Sequence, residues 1–186
     1  MMVKIIISNK DFHAAEIREL FWEYLQWANA KVNEKFGVNF EIENMLETDM
    51  LQLDKFMPPE GRLLLGYTEE QLAGIACLKY LAPKICEIKR MYVRPGNRKR
   101  GLGRALVNQL LTEATQIGYE RIRLDSARFM NEAHHLYRTM GFSEIEAFEG
   151  SEIPKEYQKN WIFMEMVVAP GDQGEPVITI GLPKDF

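Results

Sequence analysis

Arg98-Lys99-Arg100-Gly101-Leu102-Gly103 runs straight into an apolar-periodic helix. Two glycines let the backbone turn tightly and approach a ligand closely. The helix start aims unpaired N–H groups and the positive end of its dipole at whatever sits there. Three cationic side chains share the same six residues. The combination describes a cradle for a phosphate or pyrophosphate. Two better-known glycine loops do not fit. No Gly-x-x-x-x-Gly-Lys-Ser/Thr run exists. Gly101 and Gly103 open a Gly-x-Gly-x-x-Gly fingerprint, but Leu106 fills its third position, and the loop lies in mid-chain.

Working outward, Leu102, Leu106, Leu110, Ala114 and Ile117 fall on one helix face, and Gly118 ends the helix as a left-handed cap. Upstream, Arg62–Tyr67, Leu72–Leu81 and Ile85–Val93 read as strands joined by short turns, hence an antiparallel meander. Downstream, Arg121–Asp125 reads as a strand, Asn131–Met140 as a helix and Trp161–Val168 as a late strand. Strand, helix, strand across 85–125 predicts a right-handed crossover and a parallel pair, 85–93 beside 121–125. The fold class is therefore α/β, a mixed but mostly antiparallel sheet with helices on both faces. At the N-terminus, Val3–Ile7 is a strand candidate. Asp11 is positioned to cap a long helix carrying Ile17, Phe21, Tyr24, Leu25, Ala28 and Val32. Residues 41–54 suggest a second, acidic helix with Glu41, Glu43, Glu47, Asp49 and Asp54, and Pro58-Pro59-Glu60-Gly61 breaks the chain.

The 186 residues suit one domain over 1–168, with a tail at 169–186 that is either loose or an edge strand for a partner subunit in a homodimer. A net charge of −4 argues against a nucleic-acid binder. No apolar run approaches 18 residues, so no membrane span is expected. The apolar start is too short for a signal-peptide core, and a cytoplasmic location is expected. Cys77 and Cys86 sit in strand-like apolar runs and read as buried small hydrophobes, with a disulfide or metal pair as the alternative. No Cys/His cluster supports a metal.

The segment Glu87-Ile88-Lys89-Arg90-Met91-Tyr92-Val93-Arg94-Pro95, then Arg98-x-x-Gly-x-Gly, then Leu136-Tyr137-x-x-x-Gly141-Phe142, resembles the GNAT superfamily of acyl-CoA-dependent N-acetyltransferases. The resemblance covers about residues 60–145. It implies that Arg98, Lys99, Arg100, Gly101, Leu102, Gly103 and Arg104 hold the pyrophosphate of coenzyme A, with the cationic side chains also meeting its 3′-phosphate. It implies that Met91, Tyr92 and Val93 pair with the pantetheine arm, a strand addition to a gap in the sheet. No metal is implied. The bland alternative for the basic run is a solvated surface, but residues 88–112 hold seven Lys and Arg and no acid, and solvated faces usually mix signs.

By the same resemblance, Tyr137 is the general acid that protonates the departing thiolate; packing beneath Phe142 is compatible with that. Glu87 lies six residues before Val93, where histone-acetylating members carry a catalytic Glu. A partly desolvated Glu has a raised pKa and takes a proton from the amine. The alternative is that Glu87 pairs with Lys89, Arg90 or a neighbouring strand. His134 and His135 also titrate near neutrality. One departure stands out. Many members carry Asn seven residues before the tyrosine, and here Met130 is there with Asn131 one place later. Asp125-Ser126 ends its strand beside the slot. The resemblance places the acceptor, an amine of a small molecule or peptide, against residues 24–60. The acids of 41–54 would attract a cation there, or simply be a solvated face. Trp27, Phe36, Phe40 and Phe56 line an apolar slot or belong to the core. A non-catalytic acyl-CoA sensor on the same fold is the competing function.

Overall fold

The computed structural model describes residues 2–168, so the tail from 169 lies outside the described residues. Seven strands, β1 (Val3–Ile7), β2 (Arg62–Thr68), β3 (Gln71–Ala82), β4 (Ile85–Val93), β5 (Arg121–Ala127), β6 (Ser143–Ile145) and β7 (Trp161–Val167), form one sheet. Their spatial order is β1-β2-β3-β4-β5-β7-β6. β2, β3 and β4 form the expected meander. β4 and β5 are the one parallel pair, joined through α3 (Leu102–Ile117). The other helices are α1 (Lys10–Phe36), α2 (Ile42–Leu51) and α4 (Asn131–Thr139). Asn9, not Asp11, caps α1: its side chain accepts from the Asp11 N–H at 2.8 Å. Short side chains at either position can cap, and the chain enters the helix at the earlier one.

The two faces of the sheet carry separate cores. On one, α3 lays the wholly buried Leu102, Leu106 and Leu110 against Ile88, Ile122 and Leu124, with Tyr137 and Phe142 from the α4 region alongside. Each of those leucines contributes roughly 1.5–3 kcal/mol through burial. On the other, α1 and α2 pack Ile17, Phe21, Leu25 and Leu46 against Leu63, Leu65 and Tyr92. Gly118 ends α3 at φ 101°, its N–H bonded to the Ala114 carbonyl, as its sequence position predicts.

A bulge in β4 sets up the site. Ile75 pairs with Tyr92 and Cys77 with Lys89, so Arg90 and Met91 together oppose Ala76. Arg90 sits at φ 53°. An extra residue bends a strand and reverses its alternation. Cys86 and Ile88 face the α3 core before the bulge; Met91 and Val93 face it afterwards. Pairing between β4 and β5 runs only from Ile85↔Arg121 to Glu87↔Arg123. Beyond that point the two strands diverge into a fork.

Candidate active site

The fork opens into a cleft of about 1360 Å³. Its sides are β4 past the bulge, β5 from Leu124, the start of α3, α4, and the Tyr24–Lys35 stretch of α1. Where the backbone ladder stops, an ion pair takes over. Two residues beyond the Glu87↔Arg123 pair, Lys89 and Asp125 meet across the fork at 3.0 Å. Odd-numbered residues of β5 face away from the α3 core, which puts Asp125 on the α1 side of the floor.

At one end of the cleft lies the start of α3. Gly101 takes φ 86°, and no side chain caps the helix. The N–H groups from Lys99 to Arg104 donate to no described carbonyl. Four donors in the first turn are inherently free, and here nothing from the described protein satisfies them. Arg98 closes this end: its Nε donates to the Val93 carbonyl at 2.9 Å, and its guanidinium lies 4.7 Å from the Trp27 ring centroid. Lys99 reaches Glu132 at 2.8 Å, and Arg104 donates to the Thr139 hydroxyl at 2.7 Å. Met91, Tyr92, Val93, Arg98, Lys99, Gly101, Gly103, Arg104, Met130 and Asn131 all line the cleft. Arg100 and Leu102 do not; Arg100 points to solvent, and Leu102 is wholly buried against Gly66. Asn131 therefore reaches the cleft despite its one-place displacement, while Met130 takes the Ser126 hydroxyl on its sulfur at 3.4 Å.

Tyr137 stands on α4 over the fork, its ring 5.7 Å from that of Phe142. Packing and access to the cleft coexist, as the sequence allows. Burial pushes its phenol well above the usual range, with Tyr24 and Asp125 adding to the effect. Among the described residues the side-chain hydrogen bonds of α4 are made by His134, Arg138 and Thr139, and none reaches the Tyr137 hydroxyl at the cleft. His134 is buried against Ser126 at 3.0 Å and held below its usual pKa by that burial; His135 is exposed at the cleft.

Glu87 lies outside the cleft lining and is 0% exposed. Its Oε1 accepts from Lys89 at 3.2 Å, and its Oε2 stands 3.2 Å from Lys79 without hydrogen-bond alignment. Burial raises its pKa, against the pull of Lys89 and Lys79. The acids of 41–54 also stay out of the cleft: Glu43 and Glu47 line a separate groove between α1 and α2, and Asp54 pairs with Lys10. Asp49 turns inward to hold Arg90 at 2.6 Å. Trp27 and Phe40 line the cleft, whereas Phe56 is core. Residue patterns gave no sign of Glu152, which reaches the floor from the irregular stretch after β6, or of Tyr24, whose place in the α1 stripe reads as core. Among the described residues no group of three or more His, Cys, Asp or Glu is arranged around a metal site.

The cleft thus joins a sheet forked by a bulge to an uncapped helix start at one end and a phenol over the fork that no described residue bonds. The sequence model of the Acetyltransferase (GNAT) family matches residues 14–142, and the chain belongs to that family. It is 30% identical to an uncharacterized N-acetyltransferase of Schizosaccharomyces pombe over 75% of this chain and 82% of that one. It is 32% identical to another of Dictyostelium discoideum over 80% of this chain and 92% of that one. Among solved structures, a GNAT-family acetyltransferase from Staphylococcus aureus superposes with a TM-score of 0.69 at 16% identity, covering 89% of this chain and 99% of that one. The PaiA N-acetyltransferase of Thermoplasma acidophilum, solved with coenzyme A, gives 0.66 at 17% identity, covering 90% and 100%. These two share the fold.

Proposed function

We propose that the chain is an N-acetyltransferase that moves an acetyl group from acetyl-CoA to a primary amine of a small molecule or peptide, by direct transfer in a ternary complex. The observation that carries this is the Tyr137 hydroxyl, bonded by no described residue, over a fork whose other end is an uncapped helix start. The residues fit coenzyme A. Unsatisfied N–H groups at the start of α3, with Arg98, Lys99 and Arg104 beside them, suit a pyrophosphate. The fork-facing edge of β4 at Met91–Val93 suits an amide-bearing arm. The neighbour solved with coenzyme A supports the same assignment. Acetyl-CoA supplies the thioester that an amine attacks.

The chain's own groups account for the rest. Tyr137 Oη, protonated throughout the neutral range, holds the proton that a departing thiolate takes up, and the proton shed by the attacking nitrogen returns to the phenolate through the water of the cleft. Both cysteine thiols are buried and pushed up in pKa, and neither lines the cleft, which favours direct transfer over a cysteine-bound acyl group. Glu87, beneath the floor, acts by holding Lys89 in place rather than by touching substrate. Acceptor-dependent thiol release tests the reading. Tyr137→Phe is expected to lower kcat about a hundredfold while coenzyme A affinity holds. Full turnover by that variant would overturn the acid assignment. Coenzyme A binding with no turnover across a broad amine panel would instead mark a non-catalytic sensor.

A further inference from the structure

Four carboxylates and four cations meet beneath the cleft: Asp49, Glu87, Asp125 and Glu152 with Lys55, Lys79, Lys89 and Arg90. The charges balance, but the oxygens do not. Both oxygens of Asp49 take Arg90, and one also takes Lys55. Glu152 Oε1 faces Lys79, and its Oε2 faces Lys89 and Arg90. Glu87 sets one oxygen against Lys89 and the other against Lys79. Asp125 spends Oδ2 on Lys89 and on the Ser151 hydroxyl at 3.4 Å, and its Oδ1 meets no described residue. The Asp125 side chain is only 8% exposed, and that exposure is to the cleft. A carboxylate offers about four acceptor positions, so Oδ1 faces the cleft with acceptor capacity that an entering donor can take up.

The surroundings narrow what fills the gap. Tyr24, Trp27, Phe40, Met45 and Ile153 wall the same side of the cleft. Aromatic faces attract an ammonium and cover an apolar body. Lys31 and Lys35, also in the wall, share the single carboxylate of Glu34 and leave a positive excess.

We infer that Asp125 anchors the acceptor's ammonium, which sheds one proton to the water of the cleft before the neutral nitrogen attacks, and that the acceptor carries one positive charge on an apolar or aromatic body. This rests on the N-acetyltransferase reading above. One open oxygen holds one ammonium. A second ammonium, as in a polyamine, enters a cleft whose lining carries seven Lys and Arg, Lys31 and Lys35 among them, against three carboxylates, and is repelled. The exposed acids of α2 do not compensate, because they lie outside the cleft.

The test is calorimetric titration of phenethylamine and of spermidine into the protein saturated with coenzyme A, beside turnover of both with acetyl-CoA. Phenethylamine is expected to bind more tightly than spermidine, and Asp125→Asn to weaken it about tenfold or more while coenzyme A affinity holds. Should Asp125→Asn lose coenzyme A binding as well, the exposed double variant Lys31→Glu/Lys35→Glu decides: its spermidine affinity is expected to rise about fivefold. The anchor is overturned if phenethylamine fails to bind, if spermidine binds as well, if Asp125→Asn binds phenethylamine normally, or if the double variant leaves spermidine unchanged. Phenethylamine bound through Asp125, with no turnover of it or of any amine in the broad panel, sinks the acetyl-transfer reading and leaves the anchor standing.

Discussion

Glu152 reaches Lys79 at 3.3 Å, Arg90 at 3.4 Å and Lys89 at 3.5 Å from an irregular segment. Burial alone would raise its pKa; the three cations outweigh that and hold its carboxyl well below the usual range. A carboxyl depressed in the folded state stabilises fully above its unfolded pKa, near 4.5, and that stabilisation fades as pH falls through the folded value. The side chain is 36% exposed, so solvent screening keeps the contribution small. Glu152→Gln is expected to cost about 1 kcal/mol in urea unfolding at pH 7. The gap to the parent should narrow steadily below pH 4.5. Equal stabilities at pH 7, or a gap unchanged at pH 3, would sink the assignment. Residues of this kind are hidden in a sequence because nothing periodic marks them. Tyr137 was singled out through the resemblance carried by Leu136-Tyr137-x-x-x-Gly141-Phe142, a run contained in one helix and the turn after it. Asp49 was legible only as one acid in a run, not as the one that turns inward to Arg90.

At the level of elements, the start of α3 makes two glycines behave in opposite ways. Gly101 sits at φ 86°, and a Cβ there would touch nothing within 4 Å. Alanine at 101 is therefore penalised by backbone strain alone, about 1–2 kcal/mol. Gly103 lies inside the helix, where a Cβ would find Leu136 at 3.5 Å and Met91 at 3.6 Å, ordinary contacts. Alanine at 103 gains up to about 1 kcal/mol of helix propensity. Thermal unfolding should show Gly101→Ala lowering the midpoint and Gly103→Ala raising or preserving it. Gly101→Ala should also weaken coenzyme A binding, because its turn aims the free N–H groups. Shifts of the same sign in both variants would contradict this account. The helices and long strands were readable because their apolar periods run for seven residues or more. The β4 bulge was not. Its only trace is the adjacent pair Lys89-Arg90, both turned to the α1 side where strict alternation would separate them. β6, three residues long, has no period to read.

For the whole molecule, the decisive fact is how little backbone joins β1–β4 to β5–β7: three paired residues, and then the Lys89–Asp125 ion pair. The fork is a seam with a cleft in it. The cores on the two faces of the sheet reach across the seam through α3 on one side and the charge cluster on the other. A ligand lying along the fork would add contacts to both halves, whereas one held only at the start of α3 would touch a single end. Mass action gives about 2.7 kcal/mol of stabilisation at a hundredfold excess over Kd. For a chain of this length that raises Tm by about 5–10 °C. Where the protection falls separates the two geometries. Amide exchange in saturating coenzyme A is expected to slow at residues 98–104, where free N–H groups face the cradle, and equally at 88–93, where the fork-facing edge of β4 lacks a strand partner. Slowing confined to 98–104 would mean that the phosphates bind without the arm entering the seam. Tyr137 would then have no sulfur within reach, and the direct-transfer mechanism would fall with it.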